Sequence, residues 1–253
     1  MSERPAPPAI FSRERRIAAL HRARQRQGRT NAARYILDDM VADIIDRLEF
    51  MRFSPARVVI IGDWTGTLAL SLGGNGAAVR EESVATIDEE QPLPGAPYDL
   101  VVSLASLERV NDLPGALLHA RAALAPDGIF LASIIGAGSL GALRAAMIDA
   151  QPERPAARMH PLIDTPSASA LMQRAGFARQ VVDSRTLTVA YPSLGRLVGD
   201  LRDQALGNVL RDRPPPLDRA ALARAEASFL ARAGKHGSVA ESFEILTLTG
   251  WKD

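Results

Sequence analysis

Two glycines, Gly62 and Gly66, belong to the stretch of this sequence that is best suited to bind a ligand. They lie in the turn GDWTG, which follows the apolar run 57–61 and precedes a helix predicted over residues 67–72. The run holds four consecutive β-branched residues, which is typical of a strand buried on both faces of a parallel sheet. Such a strand, turn and helix place free backbone N–H groups where α/β folds bind nucleotides and similar cofactors. We expect the turn, including Asp63, to form the floor of a cofactor site; the alternative is a plain connection that needs glycine only for its shape.

Acidic residues follow the next two apolar segments. Glu81 and Glu82 come at the end of a short strand predicted at residues 77–80, and Asp88 follows a second predicted strand at residues 84–87. An acid at the end of the second strand accepts hydrogen bonds from ribose hydroxyls in nucleotide-binding folds, although these acids also suit a solvated surface. A parallel crossover needs about a dozen residues or more, and far fewer separate these two segments. Either a helix is missing here or one segment lies outside the sheet.

The residue types that many other catalytic sites need are absent or scattered. The chain has no cysteine, which excludes a thiolate metal site and a cysteine nucleophile, and its four histidines lack ligand spacing. With 30 basic and 29 acidic residues, the net charge of +1 gives no drive towards nucleic acid or an anionic membrane. No apolar run approaches the roughly 20 residues of a membrane helix. We therefore expect a cytoplasmic protein with no metal, no nucleic-acid partner and no membrane span.

Basic residues are concentrated near the N-terminus. One interpretation is an arm that binds phosphate or a protein partner. The interpretation we favour is a helix that lies against the domain through an apolar side and leaves its charges in solvent. The basic residues are Arg13, Arg15, Arg16, His21, Arg22, Arg24, Arg26 and Arg29, and the apolar side is formed by Ile17, Ala18, Leu20 and Ala23.

The remaining chain alternates between apolar runs and amphipathic segments, which predicts an α/β fold. Strands are predicted at residues 98–104 and 129–135, and an alternating terminal strand at 243–251 should pair antiparallel at the sheet edge. Helices are predicted at residues 30–48, 110–124, 140–150, 166–174, 194–210 and 219–232.

Several segments together resemble one family. The segments PYDLVVS, RVNDLPGALLHARAALAPDGIFLA, LMQRAGF and FEILTLTGW are similar, in order and spacing, to the class I S-adenosylmethionine-dependent methyltransferases of the BioC-like group. Within that group the chain most resembles bacterial relatives of a mitochondrial complex I assembly factor, a methyltransferase-fold protein associated with arginine hydroxylation. The resemblance covers the chain from about Ile10 to Trp251.

The resemblance implies a Rossmann-like fold: a mostly parallel seven-stranded sheet in the order 3-2-1-4-5-7-6, an antiparallel last strand and helices on both faces. It implies that S-adenosylmethionine lies over the carboxyl ends of strands one to four. Carried over by position, the residues implied to contact it are Gly62, Asp63, Gly66, Glu81, Asp88, Ser103 and Leu104. Glu108 and Arg109 are implied to face the methyl acceptor, with Arg109 suited to an acidic group.

The first family motif is altered in this chain. Ile61 stands in the place of the usual acid, Trp64 replaces a glycine, and Asp63 takes the place of a cysteine. Two hypotheses remain open. The first is an enzyme that transfers a methyl group to a small molecule or protein, or otherwise modifies a protein side chain. The second is a non-catalytic binding or assembly factor, for example for a respiratory complex, that holds a protein partner through its basic N-terminal arm and the helix at 194–210.

Composition and the resemblance together predict that the chain has two parts. Residues 1–52 are predicted to form N-terminal basic and amphipathic helices, and residues 53–253 the methyltransferase-like domain. A helical insertion is predicted at about residues 192–235.

Overall fold

A computed structural model describes residues 9–153 and 156–253. The elements, in chain order, are α1 (Arg13–Arg26), α2 (Tyr35–Phe50), β1 (Arg57–Ile61), α3 (Thr67–Gly74), β2 (Ala78–Glu82), β3 (Tyr98–Leu104), a short 3-10 turn (Leu107–Arg109), α4 (Leu113–Ala122), β4 (Leu124–Ile135), α5 (Gly141–Ala150), α6 (Thr165–Arg174), β5 (Ala178–Tyr191), α7 (Leu194–Asp203), α8 (Arg219–Leu230) and β6 (Val239–Trp251). Within these residues no helix is long and apolar enough to cross a membrane.

The described strands form one mixed sheet in the order β2-β1-β3-β4-β6-β5. β1 pairs in parallel with β2 and β3, and β3 pairs in parallel with β4. β6 is antiparallel to both β4 and β5. The Rossmann-like class, with an antiparallel last strand, is therefore confirmed, whereas the expected seven strands are six in the described parts of the chain.

The missing strand is the one predicted at residues 84–87. These residues form a tight turn instead, in which the backbone N–H groups of Thr86 and Ile87 both donate to the carbonyl oxygen of Ser83. A strand there would need a crossover that the chain is too short to make. The whole connection from β2 to β3, residues 83–97, contains no helix or strand.

The terminal strand was predicted at the sheet edge, and this prediction was wrong. β6 lies between β4 and β5, so both of its edges are hydrogen-bonded to a neighbouring strand. β5 takes the edge and alternates between half-buried and exposed side chains. The burial pattern of β6 is almost continuous, as expected for an internal strand.

Two apolar clusters cover the two faces of the sheet. Alternate residues of β1 enter different clusters: Val58 and Ile60 join the first, and Val59 and Ile61 the second. The first cluster includes buried residues of α2, α3, α5, α7 and α8, and the second those of α4 and α6. Helices thus cover both faces, as the resemblance implied.

The N-terminal helix α1 is a separate layer that lies beside α7. Phe11, just before it, forms an isolated antiparallel bridge with Leu210, and both residues belong to a small apolar cluster. The helix predicted at residues 194–210 ends at Asp203, and the chain that follows runs back along the start of α1. The basic segment is therefore a helix laid on the domain, as predicted, and it packs through Leu20 and Ala23. The rest of the prediction was wrong, because Ile17 and Ala18 are only half-buried and the charge of Arg16 is buried.

Candidate functional site

The glycine turn after β1 has the shape that its sequence predicted. Gly62 and Gly66 both adopt left-handed backbone conformations, with φ of 92° and 72°. A side chain at Gly62 would overlap the backbone carbonyl oxygen of Leu104, so this glycine allows β1 and β3 to approach closely. Gly66 caps the N-terminus of α3, and a side chain there would contact the Glu81 carboxylate.

Asp63 serves the turn itself. Its buried carboxylate accepts hydrogen bonds from the backbone N–H groups of Leu68, at 2.8 Å, and Thr65, at 3.0 Å, and from the Thr65 hydroxyl at 2.5 Å. These bonds satisfy donors at the start of α3 that the helix cannot satisfy internally. Asp63 was predicted to contact the cofactor, but in the structure its carboxylate caps α3.

The end of β2 brings one of its two acids towards the glycine turn. The Glu81 carboxylate lies 3.7 Å from the position that a Cβ atom on Gly66 would occupy. Glu82 instead makes a close ion pair with Arg80. Of the two carboxylates proposed to bind ribose, Glu81 is the one that faces the turn.

Asp88, Ser103 and Leu104 are placed differently from one another. Asp88 is half-buried in the β2–β3 connection and accepts a hydrogen bond from the backbone N–H of Glu90 at 3.1 Å. Leu104 lines the cleft above the turn, together with Gly62. Ser103 is buried at the end of β3 and does not line that cleft. The structure thus brings Gly62 and Leu104 together at the cleft and Glu81 next to Gly66, and it leaves Asp88 and Ser103 out of the cleft wall.

The cleft above the turn is almost filled. Its cavity measures only about 30 Å³, room for about two water molecules. Trp64 forms part of its wall, and Arg16 and Leu20 reach into it from α1. Pockets for small molecules and cofactors measure about 300–1,000 Å³. The floor suits the adenosyl cofactor of the implied family, but the space does not fit that cofactor while α1 lies in place.

A buried ion pair holds α1 over the cleft. The Arg16 guanidinium lies 2.6 Å from Glu89, and the two side chains are only 6% and 3% exposed. Arg16 also donates to the Ser106 hydroxyl at 3.1 Å, and that hydroxyl in turn donates to Glu89. Arg13 reinforces the contact by donating to the carbonyl oxygen of Ile87 at 3.0 Å. The basic helix is therefore anchored to the connection that replaces the missing strand.

Glu108 and Arg109 form a wall between this cleft and a larger cavity. The larger cavity measures about 230 Å³ and is bordered by α5, α7 and the residues around His160. Arg109 borders both cavities, whereas Glu108 borders only the larger one. The Arg109 guanidinium donates to the carbonyl oxygens of Ala105 and Ala205, the latter at 2.6 Å. Its hydrogen-bonding groups are therefore largely used within the protein.

Burial shifts the titration of the groups around this wall. Burial raises the pKa of Glu108, and the neighbouring Arg109 guanidinium opposes that shift. Burial also lowers the pKa of Arg109. His160 has its pKa lowered to about 4 by burial and by the positive charges of Arg109 and Arg15. His160 is thus neutral near pH 7, and its Nε2 atom accepts a hydrogen bond from the Val209 backbone N–H at 2.9 Å.

Sequence reasoning missed three residues of this region. Arg16 was predicted to be solvated with the rest of the basic segment, and neither Glu89 nor His160 was given a role. The contacts of Arg16 and His160 lie 73 and 49 residues away along the chain. No local spacing could have indicated them. In the described parts of the chain, no group of three or more histidine, aspartate or glutamate residues could hold a metal ion.

A glycine turn after the central strand, an acid at the end of its neighbour and this strand order define a chain of the class I methyltransferase type. The family model described as "Methyltransferase domain" matches residues 32–181, more than half of the chain. The chain belongs to that family.

Curated relatives fall into two groups. The mitochondrial arginine-hydroxylase NDUFAF5 of Danio rerio is 32% identical over 178 residues, which cover 69% of this chain and 56% of that protein. The malonyl-[acyl-carrier protein] O-methyltransferase of Halorhodospira halophila is 28% identical over 242 residues, covering 85% of this chain and 81% of that protein. The chain spans about half the length of the arginine-hydroxylases it matches.

Solved structures show the same fold. The YcgJ protein of Bacillus subtilis superposes with a TM-score of 0.53 at 13% sequence identity, covering 85% of this chain and 98% of that one. At this identity the likeness concerns the fold alone. It agrees with the strand order that the described residues show.

Proposed function

We propose that this chain is an S-adenosylmethionine-dependent methyltransferase-like protein whose cofactor site is covered by its own N-terminal helix. The observation that carries the proposal is the Glu81 carboxylate beside the glycine turn, 3.7 Å from the position of a Cβ atom on Gly66, at the edge where α/β sheets bind nucleotides. Family membership supports the same reading. The cofactor would supply the transferable methyl group.

The N-terminal helix sets the condition for binding. Because Arg16 and Leu20 lie in the cleft, an adenosyl ligand needs α1 to move off the β2–β3 connection. The ion pair between Arg16 and Glu89 is the contact that opposes this movement most directly. Access to the site is therefore proposed to depend on α1 and not on the glycine turn alone.

A calorimetric titration of the full chain with S-adenosylmethionine and S-adenosylhomocysteine tests the proposal. The double variant Arg16→Ala/Glu89→Gln removes both charges, so that no buried carboxylate is left unpaired. This variant should bind either ligand at least about tenfold more tightly than the wild type, because α1 no longer closes the cleft above the glycine turn. Arg24→Ala is the matched control, because Arg24 is exposed on the same helix, and it should behave like the wild type.

A further substitution tests whether Glu81, beside the glycine turn, takes part in cofactor binding. In the double variant, Glu81→Gln should weaken binding by about tenfold or more, because a hydrogen bond to a charged group contributes roughly 1.5–3 kcal/mol. Absence of heat in every variant at millimolar ligand would reject the cofactor proposal.

The second candidate function is a binding or assembly factor without catalysis. The filled cleft favours it, since a scaffold that holds partners has no need of an open cofactor site. Under this alternative the exposed arginines of α1, such as Arg22 and Arg24, would face a protein partner. Recovery of a stoichiometric partner by the wild type, with no cofactor binding in any variant, is the result that would establish it.

Three assignments from the sequence stay proposals. We propose a division between N-terminal helices at residues 1–52 and a domain at 53–253, with a helical insertion at about 192–235. We propose a small-molecule or protein methyl acceptor. The cytoplasmic location also stays a prediction.

A further inference from the structure

The larger cavity, behind Glu108 and Arg109, has room for one small ligand. Its volume is about 230 Å³. An engineered protein cavity of about 150 Å³ holds one benzene molecule, so this one has room for roughly a substituted benzene ring. It is built by side chains from α5, α7 and β6, which belong to the main core and are held in place by it.

Most of the cavity wall is apolar. Leu140 and Leu143 border it from the start of α5, Leu201 from α7, and Phe243 from β6. Such a wall favours a ligand that buries hydrocarbon, because apolar surface leaves water favourably. A ligand that fits this wall has an apolar surface over most of its area.

One polar group in the wall lacks a partner. Glu108 is 7% exposed, and neither of its carboxylate oxygens accepts a hydrogen bond from the described residues. The nearest cation is the Arg109 Nε atom, 3.5 Å from Oε1, which is a charge contact without a hydrogen bond. A buried carboxylate that lacks donors is costly, so a ligand that donates a hydrogen bond here would be stabilised.

The charge around the cavity selects a neutral donor. Arg109, Arg158 and Arg202 border it, against the single carboxylate of Glu108. His160 also borders it, and its lowered pKa shows that an additional proton is disfavoured there. A cationic amine would be disfavoured by the same burial and by the positive charge of Arg109. A carboxylate ligand would face Glu108, while the guanidinium of Arg109 is already bound to backbone carbonyls.

We propose that this cavity binds a neutral apolar molecule with one hydroxyl group, such as an alkylated phenol, and that the hydroxyl donates to Glu108. Its assignment as the methyl-acceptor site rests on the proposed function. The binding itself does not, because no cofactor atom is involved in it.

Four probes that share a butylbenzene core and differ in the para substituent separate the possible ligand classes. They are para-butylphenol, butylbenzene, para-butylbenzylamine and para-butylbenzoate, each titrated into the full chain without S-adenosylmethionine. The phenol should bind at least about tenfold more tightly than the other three, since only it offers a neutral donor to the unpartnered carboxyl oxygens of Glu108. Tightest binding of the amine, or equal binding of the phenol and butylbenzene, would overturn the proposal.

Matched variants locate the binding. Glu108→Gln keeps the size of the side chain but removes its charge, and it should weaken the phenol about tenfold while leaving butylbenzene unchanged. Glu49→Gln makes the same change on the exposed end of α2 and should have no effect. Met147→Trp fills the cavity from its half-buried rim and should abolish binding of both probes. Unchanged binding to Glu108→Gln or Met147→Trp would refute the site, and neither result bears on cofactor binding.

Discussion

The ion pair between Arg16 and Glu89 gives the sharpest prediction about stability. Replacing Arg16 by methionine keeps most of the apolar stem of the side chain but leaves the Glu89 carboxylate buried with the Ser106 hydroxyl as its remaining donor. Breaking a buried pair by removing one partner costs about 3–5 kcal/mol, because a charge is left uncompensated. We expect Arg16→Met to lower the free energy of unfolding by that amount.

The double variant Arg16→Met/Glu89→Leu distinguishes the charge from the packing. Replacing a buried pair by apolar residues of similar volume is often neutral or stabilising, so the double variant should recover at least half of the loss. The two substitutions should therefore be strongly non-additive, as expected for residues in direct contact. The measurement is chemical denaturation with urea, followed by circular dichroism, with all variants at one pH and salt concentration.

An exposed ion pair provides the control. Arg34 and Asp38 lie 2.9 Å apart on α2, but their side chains are 50% and 41% exposed. Pairs of this kind contribute about 0.3–0.5 kcal/mol, so Arg34→Met should change stability very little. If Arg16→Met lost no more than Arg34→Met, α1 would not be held over the cleft by this pair. The account of the covered site would then fail with it.

Two further predictions concern the turn and the histidine. Gly62→Ala should destabilise the fold by about 2–5 kcal/mol, because a Cβ would overlap the Leu104 carbonyl oxygen and strain a positive φ. Gly73→Ala is the control, because Gly73 lies inside α3 with open space around it, and it should not destabilise the fold in the same urea titration. Since the pKa of His160 is about 4 when folded and about 6.5 when unfolded, stability should fall by up to about 3 kcal/mol as the pH drops from 6.5 to 4, because only the unfolded chain then gains the proton. His160→Gln, which can still accept from Val209, should lose that part of the pH dependence; an unchanged slope would contradict the assignment.

The sequence was most informative where burial is continuous. β1 and β3 begin and end at the predicted residues, because runs of apolar and β-branched side chains specify strands covered on both faces. The glycine turn was predicted in shape as well as in place. Its positive φ angles follow from residue types that the backbone geometry requires.

The rest depended on contacts between distant segments. Whether Arg16 is solvated or buried is decided by Glu89, and nothing in the basic segment itself reveals that partner. The edge position predicted for the last strand was wrong for a related reason. An alternating pattern shows that one face is polar, but it does not show which strands lie on either side of it.

The altered motif and the covered cleft are connected through the β2–β3 connection. Because the strand predicted at residues 84–87 is replaced by a turn, the chain returns to β3 along a path that presents Glu89 to α1. The same connection therefore supplies the anchor that holds α1 over the cleft. Trp64 borders the same small cleft as Arg16 and Leu20 of α1. Under the proposed function, the affinity for a cofactor then depends on how readily α1 leaves the cleft.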